Sequence, residues 1–224
     1  MRDVAGADDV ADETDDGVPH GAAALEVLDW RRRIFALYAE VRASADPESA
    51  WQRFCDVREE LYRTHPQSPV SPTARTVYAN AFFPYDPAFR VVATLTDDDR
   101  VPSTVPASRG GSFAFSRIGH AGFELAGREH ALEVRWNEGY GGGILVAVAD
   151  ETSGSETYGG GRYVLDTVKG ADLGGDRGRL ILDFNFAYNP SCAFDPRWAC
   201  PLAPAANRLP LRLEVGERTP TARA

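Results

Sequence analysis

The segment Ser155-Glu-Thr-Tyr-Gly-Gly-Gly-Arg-Tyr163 sets a carboxylate, a phenol and a guanidinium around one glycine turn. Glu156, Tyr158 and Arg162 could converge on a polar ligand, arginine pairing with an anion and glutamate serving as acid or base. The same side chains could equally form a surface salt bridge. The glycines suit a tight turn; a phosphate-cradling loop would need a Gly-Lys-Ser/Thr continuation and a following helix, and neither is present. Downstream, Leu180, Leu182, Phe184, Phe186 and Tyr188 alternate with Asp183, Asn185 and Asn189, as the two faces of a strand do. That polar face either meets solvent or lines a cavity where Asp183 and Asn185 hold a ligand or metal, and because aspartate and asparagine are poor strand formers their mid-strand position favours the cavity.

Cys192 and Cys200 lie eight positions apart in a proline-punctuated loop, Asn189 to Leu202. No Cys-x2-Cys knuckle with two further ligands exists, so no zinc or other metal site is expected. The pair reads as two small buried apolar residues or as thiols close enough to oxidise reversibly. With Cys55 the count is three, and a disulfide framework is not expected. His20, His65, His120 and His130 lack metalloprotease spacing, and Ser112, Ser153 and Ser155 lie in no Gly-x-Ser-x-Gly elbow.

The elements that must position these residues are legible from periodicity. Trp30, Ile34, Leu37, Tyr38 and Val41 recur at helical spacing within 24–43. Asp46 then offers an N-cap and Pro47 a first-turn residue, and Trp51, Phe54, Val57 and Leu61 form a second apolar stripe ending before His65-Pro66. A proline- and aromatic-rich connector spans 65–87. Beyond it the period becomes two, in eight short stretches: 89–96, 112–116, 122–126, 131–137, 143–149, 162–166, 180–187 and 209–215. Their short Gly/Asp-rich links are too brief for helical crossovers, which predicts antiparallel pairing. The expected fold is mainly β (α+β): an antiparallel β-barrel or β-sandwich of about eight strands preceded by two N-terminal amphipathic helices. One globular domain is expected over 23–217, with a disordered acidic tail at 1–22 and a short tail at 218–224.

Composition narrows the function classes. The formal net charge is −9, and the 24 basic residues are arginines save Lys169. A surface of this sign, without a Lys/Arg cluster, argues against nucleic-acid binding. No apolar run approaches the length of a membrane span, and no signal-like block stands in the acidic N-terminus, so no membrane association and a cytoplasmic location are expected.

Several motifs resemble a known family. They are Leu-Asp-Trp-Arg at 28–31, His65-Pro-Gln-Ser-Pro69, Phe83-Pro-Tyr-Asp-Pro87, Glu156-Thr-Tyr-Gly-Gly-Gly-Arg-Tyr163, Asp183-Phe-Asn, Ala187-Tyr-Asn-Pro-Ser-Cys-Ala-Phe194, Cys200-Pro, Asn207-Arg-Leu-Pro210 and Gly216-Glu217. Together they are similar to the bacterial and archaeal domain-of-unknown-function family numbered 1684, over about 25 to 217. The resemblance implies a shared site and no named reaction or cofactor. The family pattern falls on Glu156, Tyr158, Arg162, Asp183, Asn185, Tyr188, Asn189, Cys192 and Cys200. Where the family usually has a glutamate before the asparagine matched by Asn207, this chain has Ala206, which puts that part of a site in doubt.

The leading expectation is a pocket of Glu156, Tyr158, Arg162, Asp183, Asn185 and Asn189 that binds a small polar molecule. An enzyme would instead use Glu156 or Asp183 as base, with a carboxyl pKa raised by burial, and Arg162 as anion clamp. An interaction module would use the aromatics of 78–89 and would expose an apolar patch there.

Overall fold

A computed structural model of the chain describes residues 21–220. The expected acidic tail therefore lies outside the described residues, except for Gly21 and Ala22, which open the first helix. Helices α1 (Gly21–Ala43) and α2 (Pro47–Thr64) form a hairpin. The Asp46 carboxylate caps α2 by accepting from the Glu48 and Ser49 nitrogens at 3.1 and 3.4 Å, which satisfies donors that a helix start leaves orphaned. No helix among the described residues is long and apolar enough to cross a membrane.

Seven strands follow: β1 (Arg90–Pro106), β2 (Ser112–Leu125), β3 (Arg128–Asn137), β4 (Ile144–Val148), β5 (Arg162–Asp166), β6 (Gly175–Asp176) and β7 (Arg179–Asp183). They make one antiparallel sheet in the order β5-β4-β3-β2-β1-β7-β6. The sheet is open, which corrects the expectation of a closed barrel, and its strands number seven rather than eight. The stretches at 112–116 and 122–126 are one strand, continued through a register shift between Arg117 and Gly119. A β-carbon at Gly119 would run into the Thr96 carbonyl, so only glycine lets the neighbouring strand approach there.

The stretch 209–215 is the expected strand that does not form. Its apolar alternation is real, and Leu209, Leu213 and Val215 are buried against one face of the sheet. Yet the carbonyls of Leu213 and Val215 accept from the Arg162 guanidinium instead of from a neighbouring strand. Just before it, Asn207 replaces a missing rung of the sheet. β3 and β4 pair only at Arg135 with Leu145 and Trp136 with Ile144. At the next rung the Asn207 side chain accepts from the Glu133 nitrogen at 2.7 Å and donates to the Glu133 and Ala147 carbonyls at 3.0 and 2.9 Å. Ala206 beside it is exposed, so a glutamate at that position would stand on the surface.

The helices cover the opposite face. Leu37 and Tyr38 of α1 and Phe54 of α2 pack with Val105, Phe115, Leu145, Tyr163, Phe186 and Tyr188. A third cluster joins Leu61 and Tyr62 of α2, Val70 and Tyr78 of the connector, and Phe194. The connector aromatics thus turn inward. Tyr78 is buried, and Phe82, Phe83, Tyr85 and Phe89 are all partly buried, so the exposed apolar patch that a docking module needs is not formed.

Candidate functional site

The nine residues singled out from the sequence divide into separate networks, all but that of Glu156 largely buried. Arg162 is held in a ring of acceptors: Asp150 Oδ2 at 2.7 Å, the Leu213 carbonyl at 3.1 Å, the Val215 carbonyl and, at 3.4 Å, the Glu217 carbonyl. Its side chain and that of Asp150 are 1% and 0% exposed. Glu156 does not join it, pairing with Arg212 near the surface. The glycine turn between them is structural, since Gly161 has φ +88° and a β-carbon there would meet the Val148 carbonyl at 2.8 Å. The expected convergence of Glu156, Tyr158 and Arg162 on one ligand is therefore not what the chain builds.

Asp183 and Asn185 form a second network. The strand ends at Asp183, which caps a single 3-10 turn at Phe184–Phe186. Asp183 Oδ1 accepts from the Asn185 nitrogen and side-chain amide at 3.0 and 2.8 Å, while Oδ2 lies 3.5 Å from the Tyr85 hydroxyl and 3.4 Å from Arg90. The Asn185 amide binds both backbone groups of Asp86, accepting at 2.9 Å and donating at 2.8 Å, as a neighbouring strand would. Two poor strand formers thus latch the connector to the end of β7, and the alternation beyond Asp183 is not that of a strand. Burial pushes the Asp183 carboxyl above its ordinary range.

Tyr188 and Asn189 face a different environment, together with residues the motif reading missed. A cavity of about 230 Å³ lies between the helix hairpin and the chain leaving β7. Trp30, Ile34, Leu37 and Phe54 give it apolar walls, and Tyr38, Arg58, Tyr188 and Asn189 give it polar groups. Arg58 is 4% exposed and lies over the Tyr62 and Tyr188 rings, 4.2 and 5.0 Å from their centroids. It pairs with Glu217 at 2.7 Å, and the same Glu217 oxygen accepts from the Asn189 nitrogen at 2.7 Å. Asn189 Oδ1 and the Trp198 indole nitrogen, both in residues lining the cavity, are buried without a hydrogen-bond partner. Arg31 and Lys169, two solvent-exposed cations, line it as well.

Beneath Tyr188 stands Asp166, whose Oδ2 accepts from the Tyr188 hydroxyl at 3.3 Å, with the Lys169 ammonium 3.9 Å away. Desolvation raises its pKa. Burial favours the neutral acid, so on raising the pH the unfolded chain releases this proton first. Relative to Asp166→Asn, the wild-type chain is therefore expected to lose stability as pH rises from about 4, the ordinary aspartate range, to the raised folded value, and no further above it. Urea midpoints of both chains across pH check this, and a constant difference between them would refute it.

Cys192 and Cys200 meet in a fourth network. Cys200 Sγ lies 3.4 Å from the Cys192 nitrogen, and Cys192 Sγ lies 3.5 Å from the Tyr158 hydroxyl. Both residues are buried and carry free thiols.

The cavity could have been suspected from one signal. Arg58 falls within the apolar stripe of α2, four residues after Phe54 and three before Leu61, where a charge needs a buried partner. Its partner Glu217 is far along the chain and gives no local sign.

An open antiparallel sheet, backed on one face by a helix hairpin and closed on the other by an extended C-terminal segment, defines an α+β protein whose polar networks are mostly internal. The chain belongs to the family described as Protein of unknown function (DUF1684), whose model matches residues 79–218. Asp150, Arg162, Asp183, Asn189, Cys192, Cys200 and Glu217 fall inside that match, and the helix hairpin, with the motifs at 28–31 and 65–69, precedes it. A solved relative extends the likeness over more of the chain: the uncharacterized protein from gene locus rrnAC0354 of Haloarcula marismortui, determined by solution NMR. It is 30% identical, with a TM-score of 0.57, over 77% of this chain and 94% of its own. No curated protein matches.

Proposed function

We propose that the protein binds a small molecule with an apolar body and an anionic head in the cavity between the helix hairpin and the sheet. The observation that carries this reading is the combination of aromatic walls with buried polar atoms, Asn189 Oδ1 and Trp198 Nε1, left without partners. Polar groups so placed are costly unless a ligand or water satisfies them. The exposed cation Arg31 favours negative charge at the cavity, and Lys169, 3.9 Å from the Asp166 carboxyl, adds to it to the extent that this carboxyl is neutral. Arg58 is already neutralised by Glu217 and orients rather than attracts.

Of the residues expected to bind the ligand, Tyr188 and Asn189 keep that role. Glu156, Arg162, Asp183 and Asn185 do not line this cavity. An acid–base enzyme built on Asp183 with Arg162 as clamp finds less support, because both terminal nitrogens of Arg162 already donate to protein acceptors and Asp183 belongs to a different network.

The test is native mass spectrometry of the gently purified chain, beside titration with 1-anilinonaphthalene-8-sulfonate, an aromatic anion. Wild-type protein is expected to carry a small-molecule mass or to bind the probe one to one, and Ile34→Trp, which fills the cavity, to lose it while remaining folded by near-ultraviolet circular dichroism. Binding unchanged by Ile34→Trp, or an empty wild type that ignores the probe, overturns the reading.

A further inference from the structure

The thiols of Cys192 and Cys200 take no part in the cavity reading, and their surroundings are unlike those of a pair buried merely as small apolar groups. Cys192 sits in the 3-10 turn Ser191–Ala193, after which the chain doubles back through Trp198. Cys200 is pinned by its nitrogen to Ser108 Oγ at 3.1 Å, and the adjoining Pro201 bridges Ala107 next to β1. The loop is thus anchored at both ends, with the Cys200 sulfur 3.4 Å from the Cys192 backbone nitrogen.

Two groups bear on the Cys192 sulfur. The Cys200 thiol is first, followed by the Tyr158 phenol, at 3.5 Å, and together they hold Cys192 below the ordinary thiol value despite burial. Cys200, hydrogen-bonded to that sulfur, is pushed up. Cys55 serves as a contrast inside the same chain, because burial pushes its thiol up to about 12. A second cavity, of about 200 Å³, borders Cys200 and is lined also by Tyr163, Lys169 and Pro201. Cys192 does not line it, and with the cysteines 5% and 4% exposed only a very small reagent could reach the Cys192 sulfur, past Cys200.

We propose that Cys192 and Cys200 are a peroxide-reducing dithiol, with hydrogen peroxide or a small organic hydroperoxide as substrate. The Cys192 thiolate gives an electron pair to the terminal peroxide oxygen, an S–O bond forms, the O–O bond breaks, and the departing hydroxide or alkoxide takes a proton. Cys192 is then a sulfenic acid. The Cys200 sulfur attacks the Cys192 sulfur, an S–S bond forms, the S–O bond breaks, and hydroxide leaves with the Cys200 proton as water. Two thiols have been oxidised to a disulfide, and one peroxide has been reduced to water and an alcohol, or to two waters. A small dithiol reverses the disulfide by exchange. Tyr158 positions the thiolate, and the glycine-rich turn Thr157–Gly161 that carries it acquires a purpose the sequence left open.

The test treats the reduced full-length chain with one equivalent of hydrogen peroxide near neutral pH, followed by intact-mass and peptide analysis. The folded protein is expected to lose about 2 Da in a Cys192–Cys200 linkage reversed by dithiothreitol, whereas Cys200→Ser halts at a dimedone-trappable sulfenic acid, about 16 Da heavier, on Cys192. Cys192 is expected to react about tenfold or more faster than Cys55 in the same molecule, at a rate that levels off below the ordinary thiol pKa, and more slowly in Tyr158→Phe. Cys192 reacting no faster than Cys55, or a linkage that forms only after unfolding in urea, overturns the proposal. Because Ile34→Trp fills the other cavity and leaves the thiols untouched, the ligand reading and this one can fail separately.

Discussion

Asp150→Asn is expected to lower the free energy of unfolding by about 3–5 kcal/mol, read as a lower urea midpoint at unchanged slope. The substitution keeps the shape of the side chain and the acceptor that Thr152 uses through its nitrogen and hydroxyl. It replaces the Oδ2 that accepts from Arg162 with a donor amide nitrogen, so Arg162, whose side chain is 1% exposed and cannot recover solvation by turning outward, loses its counter-charge and an acceptor together. The loss should begin in the C-terminal segment, since Arg162 binds the Leu213 and Val215 carbonyls in place of a strand partner. Amide exchange at Leu209 and Glu217, whose nitrogens donate to Ala149 and Ala187 at 2.8 Å, is therefore expected to quicken before exchange in β2 and β3. A loss below about 1 kcal/mol would place the pair among those that contribute little and would refute this account.

Glu217→Gln is expected to cost about 3 kcal/mol or more, for a related reason, and Arg58→Met in the same chain to return more than half of it. The amide oxygen of the introduced glutamine would still accept from the Asn189 nitrogen, so the single variant chiefly strands the Arg58 charge between two tyrosine rings. Adding Arg58→Met removes that charge and leaves an apolar side chain of similar length among Tyr62, Tyr188 and Phe54. No such rescue is expected for Asp150→Asn with Arg162→Met, because Arg162 satisfies three backbone carbonyls that methionine cannot, whereas Arg58 satisfies one, that of Asn189 at 3.3 Å. Equilibrium unfolding of the four variants separates the two cases, and equal rescue in both would contradict the assignment of Arg162 as a surrogate strand partner.

The helix hairpin was legible because its signals are local. Asp46, Pro47 and the two apolar stripes state where α2 starts and which faces are buried, and the helix runs from Pro47 to Thr64 as the spacing predicts. Antiparallel pairing was legible from the short links. The eighth strand was not, because Leu209, Leu211, Leu213 and Val215 alternate whether their carbonyls meet a strand or a guanidinium, and apolar alternation reports burial and not the hydrogen-bond partner.

The same distinction separates the candidate residues. Composition shows Asp183 and Asn185 to be poor strand formers, but the strand ends at Asp183 and their latch on Asp86 depends on a residue about a hundred positions away. The spacing of Cys192 and Cys200 carries no distance, and the groups that hold the two residues, Ser108 and Tyr158, belong to other segments. By itself the sequence determined the helices, the antiparallel character of the sheet and which polar residues could not be ordinary core, since these follow from local periodicity and composition. The tertiary structure alone decided that the sheet stays open, that Arg162 and Arg58 take Asp150 and Glu217 as partners, and that the cavity opens beside Tyr188 and Asn189. Buried charges are stable only against partners that folding brings from distant parts of the chain, and no local pattern encodes which partner that will be.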